Sequence, residues 1–258
     1  MRYPIFEPRG RAREFSPLAM DIWKGCDHDC AYCFNKRDGR DFSNLATPIP
    51  NIVSNLKVQI AKFGPPKKQV LLTFSGDPYC RAEEEARVTR EVLEILCEHD
   101  VPVAILTKGG YRCLRDVDLF KKFKSIKIGA TMVFSEEKDR KKWEPNATPT
   151  VERLVALANI KKHGLQTWAS IEPVVIPEQA FDIINNSHLF VDGYKISRLN
   201  YHDEAEKVDW KKFTIEVVEL LRDLGKSFYI KDDLARLFPD DFFRGNERDK
   251  DAMALGEK

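Results

Sequence analysis

The sequence predicts an α/β fold built on a parallel sheet. Three observations carry that expectation. Apolar runs alternate with helical patterns at least six times along the 258 residues, and such alternation places helices outside a parallel sheet. Several runs, among them 70–74 and 103–107, are almost continuously apolar, as in strands covered on both faces. Each run leads into a polar stretch, the switch that a site at the C-terminal ends of parallel strands requires.

The elements follow in order. Residues 1–16 are polar and rich in proline and arginine, an extended lead-in. Residues 17–24 read as the first buried strand, ending at a cysteine-rich loop, and 36–40 form a charged, turn-forming run. Over 51–63, Ile52, Val53, Leu56, Ile60 and Phe63 recur at helical spacing, and Gly64-Pro65-Pro66 stops the helix. Strand 70–74 precedes an amphipathic helix over 82–99, and strand 103–107 a helix over 114–123. Strand 126–133 comes next, then a helix over 150–163 with Thr150 as N-cap and Gly164 just past its end. Strand 166–171, helix 178–186, strand 191–197, helix 210–224 and strand 227–231 complete the alternation. The expected organisation is a lead-in (1–16), one core domain (17–238) and a charged tail (239–258) whose last residues fray.

Hydrophobic residues make up 43% of the chain and charged residues 32%, proportions of a globular protein with a core. Lysine and arginine number 42 against 41 acids, a net charge of +1, so only a local basic patch, not bulk charge, would attract nucleic acid. The lysine pairs at 67–68, 121–122, 141–142, 161–162 and 211–212 are scattered among acids and read as solvated surface. The N-terminus lacks the apolar core of a signal peptide and no stretch is long enough to span a membrane. The expectation is a cytoplasmic protein with no membrane partner, in a reducing compartment that suits free thiols.

Three of the six cysteines, Cys26, Cys30 and Cys33, fall in Gly25-Cys26-Asp27-His28-Asp29-Cys30-Ala31-Tyr32-Cys33-Phe34. Clustered thiolates suit zinc or an iron–sulfur cluster. Three in one short loop can hold three corners of a cubane and leave the fourth iron open. Zinc in a structural site takes four protein ligands, and His28, inside the first gap, is badly placed to be the fourth. Three cysteines cannot all pair among themselves as disulfides.

This C-x3-C-x2-C spacing, with an aromatic before the last cysteine, resembles the radical S-adenosylmethionine (SAM) enzymes. The resemblance implies a partial (β/α)6-type parallel barrel and a [4Fe–4S] cluster on the three cysteines, with SAM chelating the open iron. It also implies reductive cleavage of SAM to methionine and a 5′-deoxyadenosyl radical that abstracts hydrogen from a substrate. Ser75-Gly76-Asp77-Pro78-Tyr79, Thr107-Lys108-Gly109, Trp143 to Pro149 with Arg153-Leu154, and Glu172-Pro173-Val174-Val175-Ile176-Pro177 are similar to the spore photoproduct lyase-like branch.

By that resemblance Ser75, Gly76 and Asp77 receive the SAM amino group, Asp77 by a charge-assisted contact, and Lys108 pairs with the SAM carboxylate. The same pieces read singly as a Gly-Asp-Pro turn and a solvated lysine. Glycines beside Lys108 would let a ligand approach. Thr131, Ser135, Ser170 and Glu172, at or near later strand ends, are candidates for the ribose or the substrate. Lys195, Ser197 and Arg198 end the sixth strand and can meet an anionic group. Tyr32 and Phe34 can flank the adenine or pack against the loop, and Glu144-Pro145 can turn the chain before the long helix. Cys97 reads as core. Cys80, near the mouth, is a candidate hydrogen donor to a product radical. Spore photoproduct lyase uses a cysteine shortly before its corresponding aspartate. Phe74 holds that place here, which tells against thymine-dimer repair. The implied substrate is a nucleic-acid base or nucleotide, with a peptide or protein as alternative. The implied partner is an electron donor such as flavodoxin or ferredoxin, and the reaction class a lyase or another radical modification. A zinc- or cluster-bearing binding module without radical chemistry is the reading from another class.

Overall fold

The computed structural model describes residues 3–37 and 45–257. Of the run expected at 36–40, residues 38–40 lie outside them. The strands are β1 (Ile5–Phe6), β2 (Leu18–Met20), β3 (Trp23–Lys24), β4 (Thr47–Pro48), β5 (Val70–Leu72), β6 (Val103–Thr107), β7 (Ile126–Thr131), β8 (Gln166–Val174), β9 (Gly193–Arg198) and β10 (Ser227–Ile230). The helices are α1 (Phe34–Arg37), α2 (Ile52–Phe63), α3 (Glu83–Ala86), α4 (Val88–Glu98), α5 (Val117–Phe120), α6 (Glu137–Trp143), α7 (Thr150–Lys162), α8 (Pro177–Ser187), α9 (Trp210–Asp223) and α10 (Asp232–Ala235).

Among the described residues, β1, β2, β5, β6, β7, β8, β9 and β10 lie side by side in that order. β1 is antiparallel to β2 and every later pairing is parallel. The result is the expected α/β partial barrel, open between β1 and β10. The first expected strand, 17–24, divides into β2 and β3, and β3 leaves the barrel to pair with β4.

Strand alternation separates two apolar layers. One face contributes Leu72, Val103, Ile105, Ile128 and Ile196 to a core shared with Leu56, Val92, Leu96, Leu157 and Val217 of the helices. Each such side chain stabilises the fold by about 1.5–3 kcal/mol on burial. The other face lines the barrel interior with Ala19, Leu71, Ala104 and Trp168, packed by Phe15, Phe74, Leu106 and Met253. Trp168 crosses the interior and donates its indole N–H to the Ile105 carbonyl at 3.0 Å. Gly129 makes room, since a Cβ there would come within 2.3 Å of that indole.

The end of the barrel where the strands begin is filled by the C-terminal tail, with Arg13 of the lead-in bound to it. Leu255 N donates to Gln69 Oε1 (3.1 Å) and Glu257 N to the Lys67 carbonyl (3.0 Å). Arg13 pairs with Asp251 at 2.6 Å, and the Met253 carbonyl accepts from Lys127. The tail therefore does not fray, because its backbone supplies partners to groups inside the barrel.

Other departures are local. The helix expected over 82–99 is broken into α3 and α4 at Arg87 (φ 52°), and Glu83 accepts from Thr89 N across the break at 2.9 Å. The helix expected over 114–123 is a 3-10 turn (Gly110–Asp116) followed by α5, and α6 was not expected. Thr150 is the first residue of α7 rather than its cap, and its hydroxyl donates to the Phe134 carbonyl at 2.6 Å. Gly164 (φ 76°) does follow the helix in the left-handed region.

Candidate active site

A cavity of about 720 Å³ opens where the parallel strands end, within the range of small-molecule sites. Cys26, Cys30 and Cys33 all line it. Cys30 is buried and the other two are half-buried. The cysteine loop leaves β3 through Gly25 (φ 79°) and turns at Asp29 (φ 56°), a conformation aspartate tolerates. Cys33 N donates to the Cys30 carbonyl at 3.2 Å and Lys36 N to the Cys33 carbonyl at 3.1 Å, leading into α1. Burial pushes the Cys30 thiol up to about 11 and raises Cys26 as well, a shift that bound metal reverses. His28 in the same loop has its Nε2 2.9 Å from Asp77 Oδ2. Three soft sulfur donors on one wall, beside an imidazole committed to a carboxylate, fit ligation by three thiolates.

The Ser75-Gly76-Asp77 segment lies against the root of this loop. A Cβ on Gly76 would sit 3.0 Å from the Gly25 carbonyl oxygen, so glycine allows the approach. Asp21, just past β2, accepts from Phe74 N (2.6 Å), Ser75 N (2.8 Å) and the Ser75 hydroxyl (2.6 Å). Asp77 is buried. Its Oδ1 accepts from Tyr79 N (2.8 Å) and Thr107 Oγ1 (2.6 Å), and its Oδ2 from Lys108 N (2.7 Å) beside His28. Burial alone would raise its pKa, but His28 and these donors hold it well below the usual carboxylate range. The expectation that the Asp77 carboxylate receives a ligand ammonium is thus corrected, because its acceptor positions are taken. Asp77 instead ties the cysteine loop to the end of β6.

Lys108 lines the cavity with its ammonium 5.5 Å from the Tyr32 ring centroid and 3.9 Å from Glu144 Oε1. Burial would lower its pKa, but nearby Cys30 and Glu144 raise it, so it is cationic. The glycines after it serve packing rather than ligand approach. A Cβ on Gly109 would meet Tyr79 at 2.7 Å, and one on Gly110 (φ 57°) would meet Thr148 at 2.7 Å.

Behind Lys108 lies a buried ion network. Glu144 accepts from the Tyr32 hydroxyl and, at 2.6 Å, from Arg153 Nη2; both side chains of that ion pair are fully buried. Arg153 also donates to the carbonyls of Thr131 (2.8 Å) and Thr148 (2.7 Å). Burial opposes the charge on Glu144, yet Arg153 and Lys108 hold its pKa below the ordinary value. The same segment straps the cysteine loop through Ala31 N to the Trp143 carbonyl (2.8 Å) and Asn146 N to the His28 carbonyl (3.2 Å).

Ser75, Gly76, Asp77, Thr131, Ser170, Glu172 and Arg198 line the same cavity. The Ser170 hydroxyl is buried without a hydrogen-bond partner among the described residues. Glu172 Oε2 is 2.6 Å from Lys231 Nζ. Lys195, Ser197, Ser135 and Cys80 are not brought to the cavity. The Lys195 ammonium points into the barrel and donates to the carbonyls of Glu14 (2.5 Å) and Phe15 (2.9 Å). Ser197 donates to Asp233 at 2.7 Å and Ser135 to Asp182 at 3.0 Å. Cys80 is fully buried in the outer core, and burial pushes its thiol up to about 12, so the reading of it as a hydrogen donor at the mouth is corrected.

Sequence reasoning missed Asp21 and Thr73, named Arg153 only as part of a motif, and missed the lead-in residues Arg9, Arg11 and Phe15, which also line the cavity. Arg153 had a readable signal. It shares the buried face of α7 with Thr150, Ala156, Leu157 and Ile160, where an arginine needs a buried acid.

Comparison with known proteins agrees with this geometry. The family model described as the radical SAM superfamily matches residues 20–190. An uncharacterized protein of Methanocaldococcus jannaschii is 27% identical over 192 residues, 70% of each chain. SuiB of Streptococcus suis, in a crystal structure with S-adenosylmethionine, superposes with a TM-score of 0.66 at 13% identity, covering 86% of this chain and 52% of SuiB. The chain thus spans about half of SuiB. A spore photoproduct lyase mutant with a dinucleoside spore photoproduct gives a TM-score of 0.65 at 12% identity, covering 84% of this chain and 77% of that one. At these identities the two structures show a shared fold. Among the described residues no helix is long and apolar enough to cross a membrane. With the family model covering most of the chain and three cysteines gathered at the mouth of a partial barrel, the protein belongs to the radical SAM superfamily, whose cofactors are SAM and a [4Fe–4S] cluster.

Proposed function

We propose that the cavity binds a [4Fe–4S] cluster on Cys26, Cys30 and Cys33 and SAM beside it, and acts on a substrate entering at the open end. The observation that carries this reading is that the three thiols and the cationic Lys108 line one cavity. Held on the three thiolates, a [4Fe–4S] cluster would supply the one electron that breaks the S–C5′ bond of SAM, leaving methionine and a 5′-deoxyadenosyl radical. The chain's own part is orientation and exclusion of water. Lys108 offers charge to the SAM carboxylate. The backbone of Ser75-Gly76, fixed by Asp21, faces the amino group. Thr131, Ser170 and Glu172 offer polar contacts deeper in, and Tyr32 and Phe34 apolar surface. Anaerobic reconstitution, reduction in the presence of SAM and assay for 5′-deoxyadenosine test the reading. Formation that depends on the three cysteines is expected, and a fully loaded protein that never cleaves SAM would overturn it.

The substrate we favour is a nucleic-acid base or nucleotide. Arg9 and Arg198 at the mouth and the Phe34, Phe74 and Phe15 rings, in contact at 6.3 and 5.6 Å between centroids, support it, since phosphate and base faces need cations and aromatic surface. A peptide is the second substrate reading, because SuiB bound to its precursor peptide superposes with a TM-score of 0.65. A cytoplasmic setting, with a flavodoxin or ferredoxin as electron donor, follows from the same proposal. One observation favours a zinc-bearing binding module instead: ligand atoms of Cys26, Asp27 and His28 lie within 4.8 Å of one another. Metal analysis decides, with about four iron and four sulfide per chain expected and one zinc per chain against.

A further inference from the structure

Lys108, read above as the partner of the SAM carboxylate, is a half-buried ammonium held by long contacts, the 3.9 Å ion pair to Glu144 and the Tyr32 ring at 5.5 Å. Its backbone is fixed far more firmly. The N–H is held by Asp77 at 2.7 Å, and the carbonyl accepts from Thr148 Oγ1 at 2.7 Å. What aims the side chain is therefore the charge behind it. Glu144 is fully buried, and three elements converge on its carboxylate. Arg153 on α7 binds Oε2. The Tyr32 hydroxyl of the cysteine loop binds Oε1, the same oxygen that faces Lys108. Arg140 fixes the main chain of the segment through the carbonyls of Glu144 (2.7 Å) and Ala147 (2.9 Å).

One carboxylate oxygen thus faces both the loop that carries the thiols and the lysine that faces the ligand. Burying such a charge is costly unless each partner is retained. A capping turn before a helix needs none of this, since a turn residue can keep its side chain in water.

We propose that Glu144 is a positioning residue, which sets the register between the Lys108 ammonium and the cysteine loop so that one SAM molecule meets both. This rests on the reading of Lys108 given above. Glu144 acts through Lys108 and Tyr32 and touches no ligand itself, and Arg153 keeps it ionised and immobile.

The test uses the reconstituted full chain and SAM binding by equilibrium dialysis, with iron and sulfide counted for every variant. Glu144→Gln leaves Arg153 buried without its counter-charge and can fail to fold, so Glu144→Asp is the working variant. It keeps the charge and withdraws the carboxylate by one methylene. Expected are unchanged iron and sulfide and SAM affinity about tenfold weaker. In a Lys108→Met background the same substitution should cost less than about threefold, because residues acting through one contact are not additive. Glu144→Asp that binds SAM within about twofold of the parent overturns the proposal. So does a penalty that persists in full without Lys108, or a variant that no longer takes up iron. A parent protein that loads iron and does not bind SAM sinks the underlying reading and this inference together.

Discussion

Lys108 and Lys195 began as equals. Each was read from the sequence as closing a strand of the same sheet and as facing a ligand; in the structure Lys108 follows β6 and is half-buried, while Lys195 lies in the middle of β9 and is buried. They finish in different surroundings, Lys108 in the cavity and Lys195 among main-chain carbonyls, and their pKa values shift in opposite directions. Lys108 sits among Cys30, Glu144 and Tyr32, and its acidic neighbours outweigh burial and keep it charged. Lys195 sits among main-chain carbonyls, with Lys127 and Lys231 as neighbours, and burial followed by that like charge lowers its pKa well below the ordinary value. Ending a strand does not by itself make a residue a ligand contact. What decides is whether the side chain's needs are already met by the protein. For Lys108 they are left partly open, and for Lys195 the carbonyls of Glu14, Phe15 and Lys250 meet them.

The comparison can be broken at its strongest point first. Cys30→Ala is expected to abolish 5′-deoxyadenosine formation while circular dichroism shows an intact fold. Undiminished turnover would remove the mouth from the chemistry. Next, Lys108→Met should weaken SAM binding at least about tenfold, the worth of one charge-assisted contact, with little change in iron content. Lys195→Met is the matched control outside the cavity. It removes a donor from carbonyls that stay buried, so a stability loss of about 1–3 kcal/mol is expected in urea titration. SAM affinity should stay within about twofold. A SAM-binding defect as large as that of Lys108→Met would erase the distinction.

A finer test uses pH. Burial lowers the pKa of Lys127 to about 7, whereas in the unfolded chain it is about 10.4. Between those values the unfolded chain binds the extra proton, so stability contributed by this group rises with pH across that window. Below about 7 both states are protonated and the contribution is flat. The unfolding free energy from urea titration should therefore climb from pH 7 toward 10, by no more than about 1.4 kcal/mol per unit for this one lysine, and Lys127→Met should flatten the climb. A parent curve that falls instead would mean that the interior is wetter than its packing implies. The smallest effect is expected at Ser135→Ala, outside the cavity, where stability should move by less than about 0.5 kcal/mol and SAM binding not at all.

Much of this arrangement was legible in the sequence. Apolar runs separated by helical patterns gave the sheet and its polarity, since burial on both faces leaves a continuous apolar trace. The cysteine loop was legible because three soft ligands in eight residues have few structural uses. What was hidden depends on contacts between residues far apart in the chain. Asp21 reads as an isolated acid until the fold sets it against Ser75. Asp77 reads as a ligand contact until Tyr79, Thr107, His28 and Lys108 close around it. Glu144 and Arg153 are nine positions apart and separated by a loop, so their pairing follows from no periodic rule. Cys80 and Lys195 were misplaced because nearness to a strand end in the sequence does not reveal which way a side chain points.

The filling of the closed end by the chain's last described residues has a consequence for biosynthesis. Asp21, Asp77, Lys108, Glu144 and Arg153, which cradle the cysteine loop, are all translated before β8 exists. The carbonyls of Lys250 and Met253 that receive Lys195 and Lys127 emerge only after the last strand. On the ribosome, then, the groups that cradle the cysteine loop are all available before the carbonyls of the tail that accept from Lys195 and Lys127. The order of synthesis thus makes the supports of the cysteine loop available first and the last partners of the barrel interior available last.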